Sequence, residues 1–178
     1  DESIAEWSQV QLVSNGSYGE ICVKGLVVTT EYKEEPEHTK MAKIMDSDGH
    51  VWHRMGDIGY FDEEGLLWFC GRKSHRVILN NGQTLFPVPC EALFNLHKDV
   101  KRSALVGIEG RAYIVVECNS NTKTTHSKIY DELKEKITTN PKLQNIEDIF
   151  FHASFPVDVR HNAKIHRLQL AEWVKTQL

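Results

Sequence analysis

The chain has 178 residues, 40% of them hydrophobic and 26% charged, an ordinary globular composition. Its 21 basic and 25 acidic side chains leave a formal net charge of −4, which argues against a nucleic-acid or anionic-membrane binder, local patches aside. No apolar run approaches the roughly 20 residues of a membrane span, and no basic-then-apolar signal segment opens the chain. Residues 1–18 are mixed. Val10 to Val13 reads as a strand before the turn signal Asn15-Gly16. Gly19 to Thr30 is β-branched and partly alternating, with a bulge or bend expected at Gly25. The charged run 31–40, interrupted by Pro36, reads as an exposed loop or short helix. Lys43 to Met45 is a strand candidate, followed by the turn Asp46-Ser-Asp-Gly49.

Val51 to Asp57 reads as a strand that delivers Asp57 just after Gly56, a residue that lets backbone approach closely. A carboxylate there suits a pair of hydroxyls, as in a ribose diol. An ordinary turn aspartate is the plainer alternative. Ile58–Tyr60 and Leu66–Cys70 frame a hairpin. The basic stretch Gly71 to Arg76 separates an all-β half from one with helices, and a domain boundary is placed there. Val77–Leu79 and Thr84–Phe86 flank Asn80-Asn81-Gly82-Gln83 as a small hairpin. Pro89 begins a helix with Glu91 in its first turn, where the helix dipole favours a negative charge. Ala92, Leu93, Phe94 and Leu96 are its expected buried face. Ser103–Ile108 and Ala112–Cys118 read as an antiparallel pair. Ser127 is placed to cap a helix through about Thr139, with Ile129, Leu133 and Ile137 at four-residue spacing. Ile146 to His152 is a short strand, and about His166 to Thr176 a last helix.

Between these two elements lies Phe155 to Arg167, a polar and basic loop in which Lys164 is the candidate for chemistry. An ammonium on a flexible stem suits an anionic oxygen that develops during a reaction. A solvated basic loop beside a helix is the alternative. Arg160 and His161 are weaker candidates for phosphate contact and proton transfer. The spaced cysteines Cys22, Cys70, Cys90 and Cys118, with no Cys-x-x-Cys pair, are expected to be reduced, mostly buried thiols of a cytoplasmic protein. His50 and His53 lack further ligands nearby in sequence, so no metal site is read. Trp52, Trp68 and Trp173 are read as packing residues. The chain opens on Asp1 rather than Met, as a piece of a longer polypeptide or a processed product does, or one trimmed at a disordered end.

Taken in order, Gly19-Glu-Ile-Cys-Val-Lys-Gly25, His53-Arg-Met-Gly-Asp57, Gly71-Arg72-Lys73, Gly82 through Glu91, and Asn162-Ala-Lys164-Ile resemble the C-terminal third of an adenylate-forming enzyme. That superfamily contains acyl-CoA synthetases, peptide-synthetase adenylation domains and luciferases. Cys70 to Val77 and Phe155 to Lys164 are most similar to the β-lactone synthetases of bacterial olefin biosynthesis. The resemblance implies an α+β chain. Residues 1–70 would be the closing β-rich part of a large AMP-binding domain, and 71–178 a small mobile lid. It implies that Asp57 holds the ribose hydroxyls of ATP or AMP, that Arg72 contacts the nucleotide, and that Lys164 bridges the substrate carboxylate and the α-phosphate. Ser74 stands at the hinge position, where the family commonly has aspartate or lysine. Ala163 stands where a glycine is usual.

The implied substrates are ATP, accompanied by Mg²⁺, and a long-chain 2-alkyl-3-hydroxy acid that closes to a β-lactone without coenzyme A. The implied partners are the missing N-terminal domain and, as for family members of the olefin pathway, other enzymes of that pathway. The chain alone, without the phosphate loop and acyl pocket, is expected to be inactive. A fatty acyl-CoA synthetase or other acyl-AMP ligase is the first alternative. A non-catalytic interaction module is the second.

Overall fold

The structure, a computed structural model, describes residues 2–120, 122–158, 160 and 164–178, with the side chains of 123–125 left aside. His161, Asn162 and Ala163 lie outside the described residues. The chain divides into two compact units, Asp1–Ser74 and His75–Leu178.

The first unit is an antiparallel sheet organised around one long strand. Its elements are β1 (Gly19–Lys24), α1 (Pro36–Ala42), β2 (Lys43–Met45), β3 (Val51–Phe61) and β4 (Leu67–Arg72). β1 runs along one edge of β3, while β2 takes residues 51–53 of the other edge and β4 takes 57–61. The β1–β3 register is broken: Glu20 faces Ile58 but Cys22 faces Arg54. Met55, Gly56 and Asp57 therefore oppose Ile21 alone, in a bulge that turns the strand and re-aims its side chains. Gly56 makes the bulge possible, because its φ of 66° is left-handed. Trp52 stacks on Trp7 at 3.9 Å and donates to Asp46.

Three expectations fail here. Residues 10–13 form no strand; Leu12 and Val13 are exposed, and four residues of β propensity do not hold a strand without a partner. β1 stops at Lys24, where a turn closed by Val28 N–H on the Gly25 carbonyl (3.0 Å) leaves Leu26 and Val27 in solvent. Trp68 is half-exposed rather than packed, its Nε1 donating to Asp62 at 2.6 Å.

The second unit is a three-stranded sheet covered on both faces. A small hairpin, β5 (Val77–Ile78) and β6 (Thr84–Leu85), leads into α2 (Pro87–Asn95). Then follow β7 (Val100–Ile108), β8 (Arg111–Cys118), α3 (Lys123–Thr139), β9 (Ile146–Phe151) and α4 (Arg167–Lys175). β7 and β8 pair antiparallel across a two-residue turn, Glu109-Gly110, with φ of 48° and 72°. β9 joins β8 in parallel through the α3 crossover, so β8 is central. Alternation sorts the strands. Leu105, Ala112, Ile114 and Val116 pack with Phe94 of α2 and Ile129, Leu133 and Ile137 of α3. Ala104, Val106, Tyr113 and Val115 pack with Phe155 and with Leu170 and Val174 of α4. α3 begins at Lys123, so Ser127 is interior rather than a cap; the apolar spacing continues the helix through it. α2 begins at Pro87 and buries Cys90, Glu91 and Phe94, while Ala92 and Leu96 are exposed.

Candidate active site

The antiparallel β3–β4 pairing sets Asp57 opposite Arg72, next to a register shift in which Ile58 faces Gly71 but Gly59 faces Phe69. Arg72 Nη1 lies 3.2 Å from Asp57 Oδ1, but it donates its hydrogen bond to the Met55 carbonyl at 2.9 Å. The guanidinium therefore faces the carboxylate as a charge, and Asp57 Oδ1 stays buried without a hydrogen-bond partner. A buried carboxylate oxygen without a donor costs free energy, so the arrangement is suited to a ligand that brings hydroxyls. Arg72 is more than half exposed and Asp57 is not.

The frame around this pair was not read from the sequence. Glu20 of β1 accepts Arg54 Nε and Nη2 at 3.2 and 2.7 Å and Lys73 Nζ at 2.9 Å. Arg54 also donates to the Glu2 and Met41 carbonyls at 2.9 and 3.0 Å. Burial alone raises the Glu20 carboxyl, but its hydrogen bonds to Arg54 and Lys73 outweigh that and hold it below its ordinary range. The cluster ties β1 to residues on either side of the Asp57–Arg72 pair. Ser74 lies in the short 3₁₀ turn Lys73–His75, at the last position of the first unit.

Lys164 belongs to the second unit and is exposed. Its loop is closed at the base. Val157 and Ile165 form an antiparallel bridge, Asp158 N–H donates to the Lys164 carbonyl at 2.9 Å, and His166 N–H to the Pro156 carbonyl at 2.9 Å. Asp158 is held below the usual carboxylate range, first by the backbone N–H of Arg160 and then by its guanidinium, with lesser help from the Lys164 and His166 charges. Arg160 thus folds back on Asp158, its Nε at 3.5 Å.

Two buried carboxylates hold the feet of this loop. Glu117 of β8 accepts the Phe155 N–H at 2.6 Å, together with Lys101 Nζ at 2.6 Å and Arg102 Nε at 2.8 Å. Burial pushes the Glu117 carboxyl up, but these donors bring it below its ordinary range. Glu91 of α2 pairs with Arg167, the first residue of α4, through both guanidinium nitrogens. Burial raises the Glu91 carboxyl more than Arg167 lowers it. In sequence Glu91 reads only as a helix-dipole residue, and no local spacing marks Glu117 or Arg167 for an ion pair.

Asp46, Asp48 and His50 gather at the β2–β3 turn. Asp46 Oδ1 accepts the N–H groups of Asp48 (3.1 Å) and His50 (2.8 Å), while Oδ2 accepts Lys24 and Trp52. These bonds build the turn itself. Cys70, Cys90 and Cys118 are buried free thiols and Cys22 is half-buried. Among the described residues no helix is long and apolar enough to cross a membrane.

No family model matches the chain. It is 41% identical to an olefin beta-lactone synthetase of Xanthomonas campestris pv. campestris, over 99% of this chain and 33% of the relative. It is 38% identical to an olefin beta-lactone synthetase of Stenotrophomonas maltophilia, over 100% of this chain and 33% of the relative. The chain therefore spans about a third of the length of these curated relatives. The crystal structure of ATP-bound MatB from Rhodopseudomonas palustris shares the fold, with a TM-score of 0.73 at 23% identity, over 97% of this chain and 33% of that one.

Proposed function

The chain belongs to the adenylate-forming ligases as a C-terminal portion of one, and on that footing we propose that the intact protein is an ATP-dependent acid ligase of the β-lactone-forming type. The observation that carries the nucleotide part is Asp57. Its Oδ1 is buried, lies beside a guanidinium and receives no hydrogen bond, on a bulge built by a left-handed glycine. Asp57 holds the two ribose hydroxyls, each donating to the carboxylate. Arg72, already facing that carboxylate, reaches the nucleotide with its exposed remaining donors.

Residues 1–70 close the large nucleotide-binding domain and 71–178 form its mobile lid. The break between compact units after Ser74 supports a division near that place, and Ser74 is the pivot of the lid. Lys164, exposed on a loop closed at its base, meets the α-phosphate and the substrate carboxylate together. Both are anionic, and a cation between them removes the repulsion that opposes their contact. The carboxylate oxygen attacks the α-phosphorus of ATP, supplied as its magnesium complex, and pyrophosphate leaves. The 3-hydroxyl of the bound 2-alkyl-3-hydroxy acyl-adenylate then attacks its own acyl carbon, loses its proton and expels AMP. Attack from within one molecule gains from proximity. The 41% identity to an olefin beta-lactone synthetase favours this second step over a thioester. The protein works in the cytoplasm, with long-chain acyl carboxylates and, where they assemble, other enzymes of the same pathway.

The test uses the intact protein with ATP, Mg²⁺ and a synthetic 2-alkyl-3-hydroxy fatty acid, without coenzyme A, and follows AMP and lactone by mass spectrometry. Lactone formed by the parent and lost in Lys164→Ala supports the reading. A thioester formed only on adding coenzyme A would replace it with an acyl-CoA ligase. No nucleotide turnover with any carboxylate would leave an interaction module.

A further inference from the structure

The edge of β7 is where the lysine loop is fastened. Leu105 lies opposite Ile114 of β8, yet its N–H donates outward to Glu91 Oε1 at 2.7 Å, and its carbonyl accepts Arg167 Nη1 at 3.4 Å. One residue of an edge strand thus holds both partners of a carboxylate–guanidinium fork. Glu91 is 8% exposed, and Arg167 Nη2 completes the fork on Oε2 at 3.0 Å. The helix that carries Glu91 is in turn tied to β7: the Ser103 hydroxyl shares its one proton between Asn95 Oδ1 at 2.9 Å and the Glu91 carbonyl at 3.3 Å. Arg167 follows Lys164 by three residues, with the Ile165 bridge between them. Few soft torsions therefore separate the fork from the Lys164 backbone. A fork fixes direction as well as distance, which a point charge does not.

We propose that Glu91 and Arg167 are positioning residues for Lys164: their buried fork on β7 sets where the lysine backbone stands, and hence the aim of its ammonium in adenylation. The proposal rests on the reading of Lys164 as the adenylation lysine. It assigns no contact with substrate to either residue.

The experiment compares two reactions of the intact protein. One is adenylation, followed by pyrophosphate release. The other is conversion of chemically prepared acyl-adenylate, which bypasses the step that needs Lys164. Arg167→Lys keeps the charge and loses the fork. Its adenylation kcat falls about 10–100-fold, as a misplacement near 1 Å does, with KM for ATP unchanged. Conversion of supplied acyl-adenylate stays within about twofold, and in a Lys164→Ala background Arg167→Lys has no further effect on adenylation, because residues acting as one unit are not additive. Glu91→Gln, whose amide oxygen keeps the Leu105 bond, gives the same pattern if Arg167→Lys does not fold. An equal fall in both reactions, or the same factor in both backgrounds, shows a structural pair only and overturns the proposal. So does unchanged adenylation in both variants. If Lys164→Ala itself leaves adenylation intact, it is the underlying reading of Lys164 that fails, and the fork then has nothing to position.

Discussion

Replacing Glu117 with glutamine takes one charge and almost no volume out of the second unit. The residue is 2% exposed and receives Lys101 Nζ at 2.6 Å, Arg102 Nε and Nη2 at 2.8 Å each, and the Phe155 N–H at 2.6 Å. These donors are unequal. Lys101 is 56% exposed and turns to water readily, so its share is below about 1 kcal/mol. Arg102 is 24% exposed and the Phe155 amide is enclosed. A glutamine amide points an N–H at one of them, and a buried donor left unpaired costs about 1–3 kcal/mol, more when charged. The loss is about 2–4 kcal/mol, short of the 3–5 kcal/mol of a fully buried pair because Lys101 and Arg102 reach solvent. With a slope of about 2 kcal/mol per M, the urea midpoint of the chain falls by about 1–2 M. Lys101→Ala serves as the internal comparison and shifts it by less than about 0.5 M. Amide exchange at Phe155, the foot of the lysine loop, speeds up on the order of a hundredfold. A midpoint within about 0.3 M of the parent, with Phe155 exchange unchanged, would refute the reasoning that this carboxylate fastens the loop.

The same carboxyl gives a pH dependence. Its folded pKa lies below the ordinary 4.5, so its stabilisation is present above about pH 4.5 and is lost as pH falls through the lower folded value. Glu117→Gln therefore flattens acid unfolding of the second unit in that window, and a parent-like acid profile in the variant would count against it. Gly56→Val places a β-branched residue at a φ of 66° and costs about 1–3 kcal/mol of the first unit's stability, whereas Gly56→Asn costs less; urea unfolding measures both. Asp57→Ala in the intact protein weakens AMP binding by about 10–150-fold, the equivalent of charge-assisted hydrogen bonds worth 1.5–3 kcal/mol, and calorimetric titration reads it. An unchanged AMP affinity would remove Asp57 from the nucleotide site.

The second unit was legible where burial imposes a period. Ala112, Ile114 and Val116 alternate with Tyr113 and Val115, and the apolar rows of β7 and β8 meet at Glu109-Gly110. Ile129, Leu133 and Ile137 show α3 for the same reason. Val10–Val13 failed because a short apolar run has no period to arbitrate, and among the described residues no strand pairs with it. Asp57 and Arg72 stand out as motif residues, but their apposition depends on the β3–β4 register, which shifts between Ile58 and Gly59. Such a shift leaves no mark in the spacing of either strand. The Glu91–Arg167 and Glu117–Phe155 links join residues far apart in the chain. No local spacing records them. A glutamate amid apolar neighbours in α2 was the one trace, and the helix dipole explained it too cheaply.

The fork on Leu105 also bears on how copies of this fold avoid one another. β7 is an outer strand, and an outer strand with idle peptide groups invites another chain to add to the sheet. At Leu105 those groups are occupied by ions rather than water. An incoming strand must first evict Glu91 and Arg167 and strand their charges against an apolar wall, a far higher barrier than displacing solvent. In the folded unit the ion pair therefore also shields this edge of the sheet against a strand added by another copy.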